Sequence, residues 1–453
     1  MFPATKVMGF SIVIVACVHV SPLVRAAPPP ATRPAMDPDF LKRQQVMPLA
    51  AAPRITELTH SIVHYDKSCY CGHPRMVAFQ YWGNGEITVG HFHAPCKYQE
   101  YPDVRHVNYQ ARAVCLLQRS TDYGKTWPKD NDLVVYDRTI SQEQERAFLS
   151  QPPAGRGSYD MFLPESMFFS QNTTELRPPT TCFFLRSPDK GHTWEKVPTL
   201  VPNPAGEFAI SRHDTPVIRM PDGKTLLAVF HMASPGLEGD ETAVFSSVDN
   251  GLSWQFLSRP MVDRSDVGRF IYATLLLLPN GNLQCYGLHI DRKTQKVDGL
   301  RNAMCVVTSR DGGKAWSKPL PISGKGGGCW ENPGKGGVDP AGLSGGRDAG
   351  PPTQDVIYRS PWPILLRDGR ILVVFARRFM PGGIGGIVSA NGGKTWSKEF
   401  VIRDDGKWWD LGYPVGCEFE DGRIFIAYYF NVQDGNGQGG TRHIAASTFR
   451  LVE

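Results

Sequence analysis

Apolar stretches interrupted by a two-residue polar turn recur five times along the chain. They occupy residues 81–92, 218–230, 276–287, 365–375 and 419–430, and the turn in each is Asn-Gly or Asp-Gly. The first reads YWGNGEITVGHF and the last FEDGRIFIAYYF. Both central positions of a tight hairpin turn favour positive φ, so Asn-Gly or Asp-Gly between apolar, β-branched runs is a strong hairpin signal. The pattern therefore predicts five β-hairpins.

A second motif, the octamer S-x-[DN]-x-G-x-[STA]-W, alternates with these hairpins. Its copies occupy residues 120–127, 187–194, 247–254, 309–316 and 389–396, and their starts lie 67, 60, 62 and 80 residues apart. In such a turn an Asp or Asn side chain can accept hydrogen bonds from nearby backbone N–H groups, and Gly can adopt the left-handed conformation. We interpret the octamers as structural turns whose tryptophan folds back between sheets.

The two motifs together predict four strands in each period of about 60 residues. A sixth, degenerate unit is expected around residues 157–169, and the glycine-rich insertion at 323–352 is expected to be a loop. Four-stranded units repeated around an axis are typical of a β-propeller. The sequence therefore predicts an all-β fold over residues 53–453, a six-bladed β-propeller with four-stranded antiparallel blades.

The beginning of the chain has the pattern of an export signal. Lys6 precedes an apolar run at residues 7–20, and small residues around Ala26 follow. This predicts a signal peptide at residues 1–26, a flexible Pro- and Ala-rich leader at 27–52, and a secreted or periplasmic protein. The apolar run is too short to span a membrane comfortably, and no later stretch approaches about 20 apolar residues, so no membrane span is expected.

Charge and cysteine content narrow the classes of partner. The net charge is only +5 and no run of lysine or arginine stands out, which argues against nucleic-acid binding. Nine cysteines remain after the signal peptide, so at least one is unpaired within the chain. The cluster Cys69, Cys71, His73, His91, His93 and Cys96 matches no familiar zinc spacing. We therefore expect no metal and no other cofactor. The protein is also expected to be a monomer.

The octamers resemble the Asp boxes of the sialidase superfamily, whose members share a six-bladed propeller. The resemblance covers residues 65–445, nearly the whole chain after the leader. It implies that the starts of the first strands of the blades converge on one mouth of the ring. The residues eight to eleven positions before each Asn/Asp-Gly turn are therefore the candidates for contact with a ligand.

The resemblance implies a cluster of three arginines that binds the carboxylate of a sugar. Arg75 and Arg359 each stand nine residues before a turn, as the first arginine of the family does, and Arg212 or Arg269 would complete the cluster. Guanidinium groups suit this task because they stay charged and donate two parallel hydrogen bonds to a carboxylate. Tyr272 is a further candidate for substrate binding.

The resemblance also implies a tyrosine nucleophile. Tyr413 stands eight residues before the last Asp-Gly turn, as the nucleophile of the family does. In the family an activating glutamate lies on blade four. This chain departs from the family there, because the two residues at this place are Ile-Tyr and Tyr272 stands at the position of the glutamate. Asp214, beside His213, is the candidate base, and Asp103 is the candidate acid/base.

The resemblance implies an exported glycoside hydrolase of the exo-α-sialidase type, which acts on a terminal acidic sugar of a glycan. A tyrosine nucleophile suits an anionic substrate that would repel a carboxylate. Two alternatives stay open. One is a lyase for uronate polysaccharides, in which His213 and either Tyr272 or Tyr413 would move protons. The other is a non-catalytic propeller that binds glycans.

Overall fold

Small antiparallel sheets follow one another along the chain and form a six-bladed β-propeller. The structure is a computed structural model that describes residues 51–173, 182–203, 209–213, 216–233, 240–262, 268–291, 303–322, 358–378 and 382–452. The predicted signal peptide, most of the leader and the glycine-rich loop at 323–352 lie outside these residues. The all-β fold and the six blades of the prediction are confirmed.

Each blade is a short sheet, and in blades one to five its strands follow the order of the chain. The first strand of the chain is β1 (Arg54–His64). Blade one contains β2 (Cys69–Gly72), β3 (Phe79–Gly83), β4 (Glu86–Pro95), β5 (Val114–Ser120) and β6 (Leu133–Asp137). Blade two contains β7 (Met167–Asn172), β8 (Cys182–Ser187) and β9 (Thr199–Val201) within the described residues. Blade three contains β10 (Ala209–His213), β11 (Ile218–Arg219), β12 (Leu226–Ala233), β13 (Asp240–Ser247) and β14 (Gln255–Ser258).

The remaining blades have the same plan. Blade four contains β15 (Gly268–Leu277), β16 (Leu283–Asp291), β17 (Ala303–Ser309) and β18 (Leu320–Pro321). Blade five contains β19 (Tyr358–Leu365), β20 (Ile371–Arg377), β21 (Gly382–Ser389) and β22 (Phe400–Gly406). Blade six contains β23 (Gly412–Glu418), β24 (Ile424–Val432) and β25 (Thr441–Val452), together with β1.

Short helical segments lie between some of the strands. Two of them, α1 (Tyr101–Val104) and α2 (His106–Gln110), connect β4 to β5, and α3 (Gln142–Leu149) follows β6. Single 3-10 turns occupy Pro74–Met76, Lys129–Asn131 and Pro153–Gly155. No helix in the described part of the chain is both long and apolar enough to cross a bilayer.

Both repeated motifs form the predicted turns. The Asn-Gly turn at residues 84–85 joins β3 to β4, and the Asp-Gly turns at 368–369 and 421–422 join β19 to β20 and β23 to β24. In each of these turns the glycine has positive φ, between 81° and 85°. The octamers join the last two strands of blades one to five. Both kinds of predicted hairpin turn are therefore present.

The octamer at residues 120–127 explains why a surface turn ends in tryptophan. Asp122 Oδ1 accepts hydrogen bonds from the backbone N–H groups of Lys125 (3.0 Å) and Thr126 (2.9 Å). The indole of Trp127 donates to the carbonyl oxygen of Gly124 at 3.1 Å, and its ring lies 6.2 Å from that of Phe425 in blade six. The tryptophan thus packs against the neighbouring blade, as predicted.

Both ends of the described chain contribute to blade six. Strand β1 pairs with β25 in antiparallel register, with Arg54 opposite Val452 and His60 opposite Ser447. The sheet order is β1, β25, β24, β23, so the strand nearest the beginning of the chain closes the ring of blades. This closure places the end of β1 next to the first strand of blade one.

Six of the cysteines that the structure describes are free thiols. They are Cys69, Cys71, Cys96, Cys115, Cys285 and Cys417, and all except the partly exposed Cys417 are buried. Several of them belong to the large buried core of the described part of the propeller.

Candidate functional site

The first strands of three blades share an unusual backbone position. Tyr272, Ser360 and Tyr413 have φ of 59°, 54° and 50°, and each stands eight residues before its Asn/Asp-Gly turn. At each of them the pairing with the next strand shifts register. Positive φ costs a non-glycine residue of the order of 1–3 kcal/mol, and such residues cluster at functional sites. The three positions mark one end of the first strands as the candidate site.

Tyr413 and Tyr272 meet at this end although they belong to blades six and four. The hydroxyl of Tyr413 donates a hydrogen bond to the hydroxyl of Tyr272 at 2.9 Å, and the two rings pack edge to face with centroids 5.2 Å apart. Both side chains are buried. The structure thus brings together two residues that the sequence proposed for different roles.

His73 of blade one completes the group around Tyr413. It also has positive φ (58°), and its ring centroid lies 4.2 Å from that of Tyr413 in an edge-to-face contact. Its Nδ1 is hydrogen bonded to the hydroxyl of Tyr109 in α2, and the ring of Tyr109 stacks on Tyr70 at 3.9 Å. First strands of three blades and one helix therefore contribute to a single aromatic cluster.

A buried carboxylate contacts this cluster. Asp410 accepts hydrogen bonds from the hydroxyls of Tyr70 (2.9 Å) and Tyr429 (2.6 Å), and Arg442 Nε lies 3.1 Å from it. His106 Nε2 lies 3.4 Å from its other oxygen. Burial by itself raises the pKa of the Asp410 carboxyl, but Arg442 and His106 outweigh it and hold the pKa well below its usual value. Asp410 is therefore ionised at neutral pH.

Arg378 connects the buried carboxylate to the tyrosine pair. Its guanidinium donates to the hydroxyl of Tyr429 at 2.6 Å and to the carbonyl oxygen of Leu411 at 2.9 Å. It lies 5.7 Å from the ring centroid of Tyr413. Burial opposes the charged form, but Tyr429 and Asp410 raise the pKa of Arg378 above its usual value. A fixed positive charge therefore faces Tyr413.

Arg75 and Arg359 have different surroundings despite their equal spacing from a turn. Arg75 lies in the 3-10 turn Pro74–Met76, is fully buried, and donates to the carbonyl oxygens of Tyr272 and, at 2.5 Å, Pro361. Arg359 lies in β19, directly before Ser360, and is partly exposed. The extra 3-10 turn in blade one explains the difference, because it shifts Arg75 two residues past the positive-φ position at His73.

The other predicted residues are less fully described. Asp103 lies in α1, where its carboxylate accepts hydrogen bonds from the backbone N–H groups of residues 99 (2.9 Å) and 100 (3.2 Å). The backbones of Arg212 and His213 form the end of β10, and Arg269 is the second residue of β15. Their side chains, and the whole of Asp214, lie outside what the structure describes, so the roles proposed for them remain predictions.

Several residues of the cluster were missed by the sequence analysis because they do not precede an Asn/Asp-Gly turn by eight to eleven positions. They are Tyr70, His106, Tyr109, Arg378, Tyr429 and Arg442. Tyr70 comes from the start of blade one, His106 and Tyr109 from the insertion after β4, and the others from second or third strands or the residue after them. The paired arginines at 377–378, at the end of an otherwise apolar strand, are the one local signal of the group.

Similarity to known proteins agrees with this architecture and defines the class of protein. The family described as BNR repeat-like domain matches residues 166–426, more than half of the chain. The chain therefore belongs to this family, within the sialidase-like propellers. A search of the curated proteins gave no match to the sequence.

Solved structures share the fold at low sequence identity. A protein of unknown function from Dyadobacter fermentans DSM 18053 is 19% identical, with a TM-score of 0.64 over 88% of this chain and 100% of the other. The Hadza microbial sialidase Hz136 is 17% identical, with a TM-score of 0.54 over 87% of this chain and 68% of the other. At this level of identity the two structures support the fold alone. The activity has to be argued from the chemistry of the site.

Proposed function

We propose that this protein is an exported glycoside hydrolase of the sialidase type, which acts on a terminal acidic sugar of a glycan with Tyr413 as its nucleophile. The observation that carries the proposal is the 2.9 Å hydrogen bond from the Tyr413 hydroxyl to Tyr272, at the positive-φ positions of two blades. Membership in the BNR repeat-like family and the fold shared with a sialidase support the same class of reaction.

In this mechanism the Tyr413 oxygen forms a bond to the anomeric carbon while the bond to the leaving oxygen breaks. The proton of Tyr413 passes to Tyr272 along their hydrogen bond while Tyr272 gives its own hydroxyl proton to a base, for which Asp214 is the candidate. Arg378 stabilises the negative charge that develops on the Tyr413 oxygen, because a fixed charge needs no reorganisation during the reaction. Water then cleaves the tyrosyl–sugar bond, which gives retention of configuration.

Binding of the substrate carboxylate falls to the arginines at the starts of the first strands. Arg359 is partly exposed directly before a positive-φ residue, and Arg212 or Arg269 would join it. Arg75 contributes indirectly in this proposal, because its guanidinium already donates to two main-chain carbonyl oxygens and so holds the backbone of Tyr272. This assignment revises the three-arginine cluster that the resemblance implied.

The proton donated to the leaving group needs an acid near the cluster. Asp103 remains the candidate that the resemblance implies, and Asp214 remains the candidate base. His106 is a further candidate, because its side chain is 28% exposed and its ring centroid lies 4.5 Å from that of His73. Imidazole is the side chain that most often serves as a general acid or base.

The same geometry supports a second candidate, a lyase for uronate polysaccharides. Tyr272 occupies the position at which the sialidase resemblance implies a glutamate, so a phenol rather than a carboxylate contacts Tyr413. In a lyase, Tyr413 or Tyr272 would remove the proton next to the uronate carboxyl group or protonate the leaving oxygen, with His213 as the second proton carrier. The sugar would leave with a new carbon–carbon double bond and no added water.

The two reactions are separated by their products. Purified protein without residues 1–26 would be incubated with α-sialosides and, separately, with a panel of uronate polysaccharides. Release of free sialic acid that is lost in Tyr413→Phe supports the hydrolase, and ultraviolet absorbance of an unsaturated product supports the lyase. Tyr286→Phe is the matched control, since this buried tyrosine of blade four contacts Gln284 and lies outside the cluster. Inactivity on both sets of substrates would contradict both proposals.

A further inference from the structure

A group of metal-ligating side chains lies where β1 passes into blade one. His64, Cys71 and His93 each offer one ligand atom, and these three atoms all lie within 4.8 Å of one another. The three residues come from three different strands, β1, β2 and β4. Asp66 and Cys69 form a second such group with the same His93, again within 4.8 Å.

His64 presents a nitrogen that the protein itself does not satisfy. Within the part of the chain that the structure describes, His64 Nε2 is buried and has no hydrogen-bond partner. The residue is only 7% exposed. Buried polar atoms are nearly always paired with the protein, with water or with a bound ion, so a buried nitrogen without a partner calls for a ligand. This nitrogen belongs to a residue of the three-ligand group.

The hydrogen bonds around Gln118 allow His64 Nε2 to carry a lone pair. His91 Nδ1 donates to the carbonyl oxygen of Phe92 at 3.0 Å, so His91 Nε2 can only accept. The Gln118 amide lies 3.2 Å from His91 Nε2 and 2.8 Å from His64 Nδ1. Rotation of this amide by 180° supplies His91 with a donor and lets the amide oxygen accept from His64 Nδ1–H.

The rotation has one cost, which a neighbouring side chain can relieve. Asp132 Oδ1 lies 3.1 Å from the amide nitrogen of Gln118, and the rotation would bring the amide oxygen next to it instead. Asp132 is partly exposed, so its carboxylate can turn toward solvent. His64 Nε2 is then an imidazole nitrogen ready to bind a cation, held in place through its other nitrogen, as metal-binding histidines usually are.

We propose that blade one binds one Zn²⁺ ion through His64, Cys71 and His93, with Asp66 as the fourth ligand. Two imidazoles, a thiolate and a carboxylate are ligands that zinc accepts in tetrahedral sites. Asp66 Oδ2 already lies 3.6 Å from His93 Nε2, while Asp66 Oδ1 is held by Ser68. Ligand atoms at tetrahedral zinc are about 3.3–3.7 Å apart, so the ligand atoms of His64, Cys71 and His93 need to close by roughly 1 Å, and Asp66 turns toward them from its contact with His93.

The exposure of the ligands gives the ion a way in. The side chains of His93 and Asp66 are 24% and 37% exposed, whereas Cys71 is fully buried. Binding converts the S–H of Cys71 to a zinc–sulfur bond and releases its proton to solvent, so the step needs no oxidant or reductant. The zinc ion joins β1, the strand that closes the ring, to the first strand of blade one.

The spacing of cysteines and histidines in the sequence did not reveal this site, because only two of its ligands, Cys71 and His93, belong to the cluster at residues 69–96. His73 belongs instead to the aromatic cluster around Tyr413, and His91 is occupied by Phe92 and Gln118. The missing ligands, His64 and Asp66, precede the sequence cluster, and pairing of β2 with β4 brings Cys71 opposite His93.

The test uses the full chain after export, stripped of metal with a chelator and then titrated with ZnCl2 or CoCl2. We expect one ion bound per chain, a thiolate-to-cobalt absorption band, and a rise in the unfolding temperature with zinc. Cys71→Ser should lose the band and weaken zinc binding by more than the roughly 10–100-fold that an outer-shell substitution costs. Cys115→Ser, which removes another buried thiol of blade one, should behave like the unaltered protein.

Two results would overturn the proposal. One is the absence of stoichiometric binding in the unaltered protein, and the other is equal binding by Cys71→Ser. If Cys71→Ser does not fold, His93→Ala, at a partly exposed position, provides the same comparison. The outcome is independent of the proposed hydrolase, because that proposal gives no role to His64, Cys71 or His93.

Discussion

The guanidinium of Arg75, in blade one, donates a hydrogen bond to the main-chain carbonyl oxygen of Tyr272, in blade four. The same guanidinium donates to Pro361 in blade five, so one side chain links three blades. Because Tyr272 adopts a positive φ, its backbone needs support from its surroundings. Arg75 supplies that support at the position from which Tyr272 contacts Tyr413.

Replacement of Arg75 by methionine should therefore lower the free energy of unfolding by about 2–4 kcal/mol, because two buried carbonyl oxygens lose their donor. Urea denaturation monitored by tryptophan fluorescence measures the change. Arg359→Met, at a partly exposed position, should change stability little and should raise KM for a carboxylated substrate. If Arg75→Met kept full stability and only raised KM, Arg75 would bind the substrate carboxylate and would not act as a structural link between blades.

The Tyr272→Phe variant tests the hydrogen bond between the two phenols. It removes the acceptor of the Tyr413 proton while it keeps the edge-to-face packing of the rings. We expect kcat to fall by about 100-fold, the lower range of general acid–base effects, with a small fall in the unfolding temperature from the lost buried hydrogen bond. A variant that retains full kcat would exclude Tyr272 from proton transfer.

Asp410→Asn should be among the most destabilising single substitutions in the aromatic cluster. It removes the negative charge that Arg442 contacts at 3.1 Å and Arg378 approaches at 4.0 Å, and it leaves both guanidiniums buried. Loss of one member of a buried ion pair costs about 3–5 kcal/mol. The control is Asp421→Asn, which breaks the ion pair with Arg423 near the surface and should cost less than about 1 kcal/mol. Equal effects of the two substitutions in chemical denaturation would be inconsistent with this account.

The octamer turns offer a natural comparison between aspartate and asparagine. Asp122 accepts hydrogen bonds from two backbone N–H groups and from the Thr126 hydroxyl, and Asn391 occupies the equivalent position in blade five. Asp122→Ala should cost about 1–2 kcal/mol of stability, because these donors lose their acceptor. Asp122→Asn should be nearly neutral at pH 7, as Asn391 makes the same turn. Thermal unfolding of both variants measures the difference.

Acid should destabilise the propeller through the same turns. In Asp122, Asp189 and Asp249, burial by itself raises the pKa, but hydrogen bonds led by Thr126, Thr193 and Ser253 bring it below the usual value. A lowered folded-state pKa gives stability that is present above the usual pKa of about 4 and lost as pH falls through the folded value. The unfolding temperature should therefore fall steeply below pH 4. The loss should be smaller in Asp122→Asn, whose turn no longer titrates, and an identical loss would refute the assignment.

The fold was accessible from the sequence because its signals are local. An Asn-Gly turn or an S-x-D-x-G-x-T-W octamer determines a hairpin within a dozen residues, whatever its distant neighbours are. The period of these turns then fixes the number of strands and blades. Blade two has the weakest repeat, and within the described residues it shows three strands.

The candidate site was only partly accessible, because its contacts join distant parts of the chain. Tyr413 and Tyr272 were each found from their spacing to a turn, but 141 residues separate them, and their hydrogen bond follows from ring closure. Arg378 lies outside any first strand, and spacing could not reveal it. Spacing also did not reveal the surroundings of Arg75. Arg75 and Arg359 both stand nine residues before a turn, but in blade one those nine residues include part of a 3-10 turn, so the two side chains lie in different places.

The pairing of β1 with β25 has a consequence for the connectivity of the chain. Arg54 and Val452 lie opposite each other on adjacent antiparallel strands, so a short turn could join them as the end of one more hairpin. New chain ends could then be opened at the exposed turn of Asp222 and Gly223 in blade three. The place at which the ring of blades is interrupted is therefore set only by the order of the chain. A circular permutant would retain every blade.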